Sequence, residues 1–172
     1  LATRGKIKML RTTACLAFLV FLAASALIHA AEFDVHQITD SDAHNANIDV
    51  AVDANDVSHA VYERSGNVYY VKGIGGEELV AEDAARPAIA VGPDGVPQVV
   101  YMSAGGQFYV ARTGEGWQAP IQISTYNREI DIDVDTNNNA HIAYVAQIDT
   151  TYPSETSAGV DIGYINNIDG TE

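Results

Sequence analysis

IDVAVDANDVSHAVY, residues 48–62, is written three times in this chain. It returns as PAIAVGPDGVPQVVY at 87–101 and as IDIDVDTNNNAHIAY at 130–144. The closing residues Tyr62, Tyr101 and Tyr144 are spaced by 39 and then 43 positions. Self-similarity at a period of ~40–45 residues marks a repeat architecture, in which each unit hides its flanks only against a neighbour. Within a copy the apolar residues come at every second position. Ile48, Val50 and Val52 alternate with Asp49, Ala51 and Asp53, the period of a β-strand rather than a helix.

Reading outward from each copy gives the rest of a unit. In the first, 54–56 turns the chain, 59–62 is a second strand, 65–67 a turn, 68–71 a third strand, and 78–81 a fourth after the break at 73–76. The second unit repeats this order with third and fourth strands at 108–111 and 120–123. In the third, the distance from the closing tyrosine to the next strand's tyrosine grows from 8 residues (Tyr62 to Tyr70, Tyr101 to Tyr109) to 20 (Tyr144 to Tyr164). The extra residues, within 146–160, read as an inserted loop, and such loops often carry function. A strand over 32–39 and a polar, turn-like stretch over 40–47 lead into the array.

Four short antiparallel strands per ~40 residues make one blade of a β-propeller. The expected fold is therefore all-β, with blades at about 48–81, 87–123 and 130–172, the last incomplete. The first strands also predict the packing. One face is bulky (Ile48/Val50/Val52, Pro87/Ile89/Val91, Ile130/Ile132/Val134) and the other small or acidic (Asp49/Ala51/Asp53, Ala88/Ala90/Gly92, Asp131/Asp133/Asp135). A bulky face set on a small one fills space without overpacking. Closed propellers need ~4–8 blades, so about three make an incomplete ring. The expectation is that further blades come from a C-terminal part not in this sequence or from other chains.

Residues 1–30 read as a signal-peptide helix. Arg4, Lys6, Lys8 and Arg11 form a basic start, 14–22 an apolar run, and Ala24-Ser25-Ala26 or Ile28-His29-Ala30 a small-residue cleavage signal, placing the cut within 26–31. The apolar run is short of the ~18–20 residues that span a bilayer. The expected location is secreted or periplasmic. Cys15, the only cysteine, lies in that leader, so the exported part has no disulfide. Four of the nine Lys+Arg also lie there, leaving five against 23 Asp+Glu, a net charge of −18. Such a surface repels phosphate backbones and anionic lipid, which argues against nucleic-acid partners and against membrane contact after cleavage.

The pattern P-x-I-A-V-x-x-x-G-x-P-x-V-x-Y at 87–101 resembles the repeats of secreted bacterial β-propellers of the sialidase-like (neuraminidase-repeat) group, over about residue 38 to the end. The resemblance implies the propeller fold and a carbohydrate-related role. The chain departs from the group's catalytic pattern. Around Trp117, Gly114 holds the glycine position of the motif S-x-D-x-G-x-T-W, but Val110 and Arg112 replace its serine and aspartate. Arg86-Pro87 lacks the residue that separates arginine from proline in the group's arginine motif. Five basic residues spread over the exported part do not suit an arginine triad.

Candidate site residues follow from the expected blades. The turns between second and third strands share a face with the links between blades, and that face holds Glu63-Arg64, residues 82–86, residues 126–129 and the insert. Arg86, Tyr126, Arg128, Glu129 and Tyr152 are its mixture of aromatic and charged groups, suited to a glycan or an extracellular protein. Asp135, Asn137 and Asn139, oxygen-bearing residues at steps of two, are the candidate calcium ligands; the competing reading is an Asx-rich turn. No other cofactor is indicated. His59 and His141 share one repeat position, with Gln98 in the second copy, and are expected to hydrogen-bond the turns that begin at Asp53 and Asp135. Tyr69, Tyr70, Tyr109 and Trp117 are expected to pack the sheets. No catalytic set stands out, so the reading is an exported, non-catalytic binding module. The alternative is the N-terminal part of a sialidase-like glycoside hydrolase or a polysaccharide lyase.

Overall fold

A computed structural model describes residues 34–39, 42–147 and 160–167. The leader, Cys15, Tyr152 and most of the insert lie outside the described residues. The chain divides into two units, Leu1–His36 and Gln37–Glu172. Of the first, only residues 34–36 are described, and they carry no regular structure. The second is all-β, with no helix among the described residues and therefore no helix among them able to cross a membrane.

Three antiparallel sheets follow one another along the chain, one per repeat. Sheet 1 is β1 (Asn45–Val52), β2 (Ser58–Arg64), β3 (Asn67–Lys72) and β4 (Glu77–Ala81), in that order. Sheet 2 is β5 (Ala84–Val91), β6 (Pro97–Ser103) and β7 (Gly106–Thr113), whose far edge is shared by β8 (Gly116–Trp117) and β9 (Ile121–Ser124). Sheet 3 is β10 (Ile130–Val134), β11 (Ala140–Gln147) and β12 (Val160–Asn166). β5 lies against β1 and β2 on one side and against β10 on the other, so the first strands of the three sheets gather together.

Two expectations for the approach to the array fail. Residues 34–39 form no strand. They have no ladder to join; the Gln37 side-chain amide donates to the Thr39 carbonyl at 2.7 Å and that of Asn45 to the Thr39 hydroxyl at 3.2 Å. Residues 45–47, expected as turn, belong to β1 instead. They pair with β2 (Asn45 opposite Arg64, Ala46 opposite Glu63) across an irregularity before Asp49. An extra residue in one strand is a β-bulge, which lets a polar stretch stay in the ladder.

The sheets stack bulky face on small face. Between sheets 1 and 2, Val61, Val68 and Tyr70 of sheet 1 pack with Ile89, Val99, Tyr101 and Val110 of sheet 2, with Ala51 at the margin. Between sheets 2 and 3, Ala88, Ala90, Val100 and Tyr109 meet Ile132, Ala140 and Ile142. Each fully buried aliphatic side chain contributes ~1.5–3 kcal/mol, so the two seams hold most of the apolar driving force. Polar ties align them: Asp49 Oδ2 accepts from the Ile89 N–H (2.9 Å), and Arg112 forks onto both oxygens of Glu78 (2.9 Å each). Trp117 of sheet 2 packs edge-on against Tyr70 of sheet 1, ring centres 5.3 Å apart.

Candidate ligand-binding edge

At the start of the first strands, β1 and β5 carry the same device. Asn47 and Arg86, 39 positions apart, both have φ 48°, and each sits at a break in register. The left-handed region costs a non-glycine residue about 1–2 kcal/mol, a cost that is met by the bonds each makes. The Asn47 amide donates to Glu63 Oε2 at 2.7 Å. The Arg86 backbone N–H points at the same oxygen, at 3.4 Å. The Arg86 guanidinium then reaches sheet 3's approach, 3.3 Å from Glu129 Oε1. A row Asn47–Glu63–Arg86–Glu129 thus runs across the edge of all three sheets.

The backbone beneath this row is fixed from inside. Gln107, fully buried, donates through its side-chain nitrogen to the carbonyls of Arg128 (2.9 Å) and Glu129 (3.0 Å). The Val145 N–H also donates to the Glu129 carbonyl (2.9 Å). On the other side, the Ala84 N–H donates to the Gly66 carbonyl (2.8 Å) and the Asp83 N–H to Asn67 Oδ1 (3.1 Å), which ties the link before β5 to the β2–β3 turn. The side chains above stay wet: those of Arg86 and Glu129 are 57% and 69% exposed. An ion pair that exposed contributes only ~0–1 kcal/mol, so its partners exchange readily for a ligand's hydroxyls or charges.

The structure therefore brings together Arg86 and Glu129 of the expected set. Arg128 and Tyr126 form a separate pair, guanidinium 5.8 Å from the ring centre. Tyr152 lies outside the described residues. Arg64, expected on the same face, is held elsewhere. It forks onto Glu77 (2.9 and 2.7 Å) and covers the Tyr69 ring at 4.2 Å, while the Tyr62 hydroxyl donates to the same carboxylate at 2.6 Å. The bonds from Arg64, then that from Tyr62, hold the Glu77 carboxyl below its ordinary range. Burial first, and the Glu77 bond second, push the Tyr62 phenol above its own. Sequence reading missed Asn47 and Gln107. Asn47 had a signal: it precedes Ile48 as Arg86 precedes Pro87.

The repeated histidines build polar relays at the opposite ends of their strands. In sheet 1 the Tyr70 hydroxyl lies 2.7 Å from His59 Nδ1, and His59 Nε2 lies 3.3 Å from Asp53 Oδ2. Asp53 Oδ1 accepts the N–H groups of Asn55 (2.8 Å) and Val57 (3.0 Å). Those bonds, led by Val57, lower the Asp53 carboxyl to about 2 against the opposing effect of burial. In sheet 3, Tyr164 lies 2.6 Å from His141 Nδ1, and His141 Nε2 lies 3.4 Å from Asp135 Oδ2. In sheet 2, Tyr109 donates to Gln98 Oε1 (2.8 Å) and Gln98 Nε2 donates to the Asn138 carbonyl of sheet 3 (3.3 Å). His59 is thus tied to its turn, and His141 stands at the matching place beside Asp135.

The calcium candidates do share a turn, but with its carboxylate engaged. Asp135 Oδ1 accepts from the N–H groups of Asn137 and Asn139 (2.8 Å each), and Oδ2 from the Asn139 amide (3.1 Å). Those contacts, the Asn139 N–H foremost, hold Asp135 far below the ordinary carboxylate range. This is the Asx-turn arrangement. Among the described residues, no group of three or more His, Cys, Asp or Glu is placed to hold a metal ion.

A scan of the chain against protein-family models gives no match, and a search of curated proteins gives none.

Proposed function

We propose that this chain is an exported array of β-propeller blades that acts as a non-catalytic binding module, and that its ligand is a glycan or an extracellular protein held at the Asn47–Glu63–Arg86–Glu129 edge. The observation that carries the reading is Arg86. It is a long cationic side chain held at φ 48°, most of its surface in water, on a backbone clamped from both sides. Non-glycine residues in the left-handed region are concentrated at ligand sites, where surrounding structure over-determines them. The Arg86 guanidinium beside the Glu129 carboxylate, with Glu63 at the Arg86 backbone, offers donors and acceptors together; that mixture suits a polyol. Export is supported by the basic start and apolar run of residues 1–30. Blades are supported by the repeat period, by one antiparallel sheet per repeat and by the gathered first strands.

The test is binding to a glycan array, followed by titration calorimetry on any hit. Saturable binding is expected, lost on Arg86→Ala and weakened on Glu129→Gln, with the melting temperature little changed in both. No glycan binding, or binding that survives Arg86→Ala, refutes the glycan form of the proposal.

A further inference from the structure

We propose that Gln107 is a positioning residue of the Asn47–Glu63–Arg86–Glu129 edge: its buried amide sets which way the peptide at Glu129 points, and so brings the Glu129 carboxylate to Arg86. Its role in binding rests on the ligand reading above; its role in placing Glu129 does not. Gln107 comes two residues before the third-strand tyrosine Tyr109, as Val68 comes before Tyr70 and Ile162 before Tyr164. Sheets 1 and 3 thus put an aliphatic residue where sheet 2 has an amide. Residues two apart on a strand share a face, so Gln107 points with Tyr109 into the seam between sheets 2 and 3.

Packing gives no reason for an amide there. Gln107 has no exposure, and its Oε1 has no hydrogen-bond partner. A bare buried acceptor is unfavourable where an apolar group of the same shape is not. Val68, equally buried, fills the same place in the first seam. What the amide does is donate, through Nε2, to the carbonyls of Arg128 and Glu129.

The residue opposite completes the pattern. Glu63 pairs with Val68, and Met102 pairs with Gln107. Each pair joins one polar to one apolar residue, with the polar one on opposite strands. Sheet 1 therefore presents an acceptor to the link that follows it, and sheet 2 presents a donor. The links answer in kind, since main-chain groups entering a seam need partners. Arg86, just before the second copy of the repeat, turns its N–H towards Glu63 and takes φ 48°. Glu129, just before the third, turns its carbonyl to Gln107 and stays out of the left-handed region. These opposite peptide orientations leave the Arg86 guanidinium 3.3 Å from the Glu129 carboxylate. The Val145 N–H is bonded to the same Glu129 carbonyl, so its exchange with solvent reports on that peptide.

Gln107→Met is the test, because methionine is unbranched and adaptable and removes only the amide; Gln107→Leu repeats it with a second apolar shape. The melting temperature should hold or rise. In the unliganded chain, exchange at the Val145 N–H should speed up about tenfold while the β6 ladder amides keep their protection, as expected for a local opening after loss of one hydrogen bond. In the parent, Arg86→Ala should move the carbon resonance of the Glu129 carboxyl; in the Gln107→Met background it should not. Any glycan that the parent binds should be held about tenfold more weakly, the same single-bond loss. A lower melting temperature with faster exchange throughout the seam makes Gln107 a packing residue and overturns the proposal. So does unchanged exchange at Val145, a Glu129 carbon still responsive to Arg86, or full glycan affinity in both variants. A parent that binds no glycan refutes the ligand reading, and the exchange and carbon measurements still decide whether Gln107 places Glu129.

Discussion

Gly92→Asp should destabilise the protein, although it gives sheet 2 the residue that sheets 1 and 3 carry at that position. In those sheets Asp53 and Asp135 cap their own turns. In sheet 2 the space is filled from the neighbour. A Cβ on Gly92 would sit 2.5 Å from Asn138 Oδ1 and 2.8 Å from Val134 Cγ1, where ordinary contact begins at 3.4 Å. Asn138 cannot retreat freely, since Oδ1 accepts from the Asp94 N–H (3.0 Å) and its carbonyl accepts from Gln98 (3.3 Å). Overpacking of this kind costs ~1–3 kcal/mol, and losing one of those bonds about 1 more. The expected loss is therefore about 2–4 kcal/mol. Urea unfolding followed by the fluorescence of Trp117, the only tryptophan, measures it. Asn138→Gly removes the obstructing side chain, and glycine tolerates the φ of 68° found there. The double variant should therefore recover at least ~1 kcal/mol of the additive loss. A Gly92→Asp protein as stable as its parent, or a penalty untouched by Asn138→Gly, would falsify the claim that sheet 3's turn occupies sheet 2's cap.

Two further outcomes follow from the seams and the turns. The Asp53 carboxyl is lowered from 3.8 to about 2 in the folded chain, so it stabilises the fold above its ordinary value and loses that contribution as pH falls from about 4 towards 2. Melting curves of the parent and Asp53→Asn should differ most at neutral pH and converge over that acid interval; a gap constant with pH counts against the turn-capping account. At equivalent repeat positions, Ile89→Ala should cost ~2–4 kcal/mol, with a cavity in the first seam, whereas Val50→Ala in dilute solution should stay within ~0.5 kcal/mol. Equal losses at both sites would contradict the bulky-on-small stacking.

The sheets were legible in the sequence because their signal is local. A period of two residues fixes which side of a strand is buried, and the recurring turn residues fix where strands end, so β10 and the breaks at 54–56 and 73–76 lie where the pattern placed them. The extended starts of β1 and β5 were not legible. Residues 45–47 are polar and read as turn, and what keeps them in the ladder is a bulge whose partners, Arg64 and Glu63, are 19 and 17 positions away. The candidate edge was half legible for the same reason. Arg86 and Glu129 stood out by charge and position, but Glu63 joins them only because Asn47 and Arg86 turn their backbones into the left-handed region. That Trp117 packs on Tyr70 of the preceding sheet depends on the stacking order, which no local pattern encodes.

The three relays show how one polar problem is solved twice. Each sheet carries a tyrosine at the same place on its third strand, at Tyr70, Tyr109 and Tyr164, and such a hydroxyl, once buried, needs an acceptor. Histidine supplies it in sheets 1 and 3, glutamine in sheet 2. Either side chain then has a second nitrogen to satisfy. His59 places it against an aspartate of its own turn, 3.3 Å away, whereas Gln98 donates to the Asn138 carbonyl of the following sheet. Gly92 and Gln98 therefore go together: without the aspartate there is room for Asn138, whose carbonyl lies within reach of the glutamine amide. The same exchange makes the sheets non-interchangeable. Placing sheet 1 where sheet 2 stands would drive Asp53 into Asn138, and placing sheet 3 there would do the same with Asp135. A chain of near-identical repeats can slip by one unit at little cost in apolar contact; here such a slip collides a carboxylate with an amide and strands a buried donor. The polar residues that most resemble a catalytic relay thus serve to fix the order of the stack.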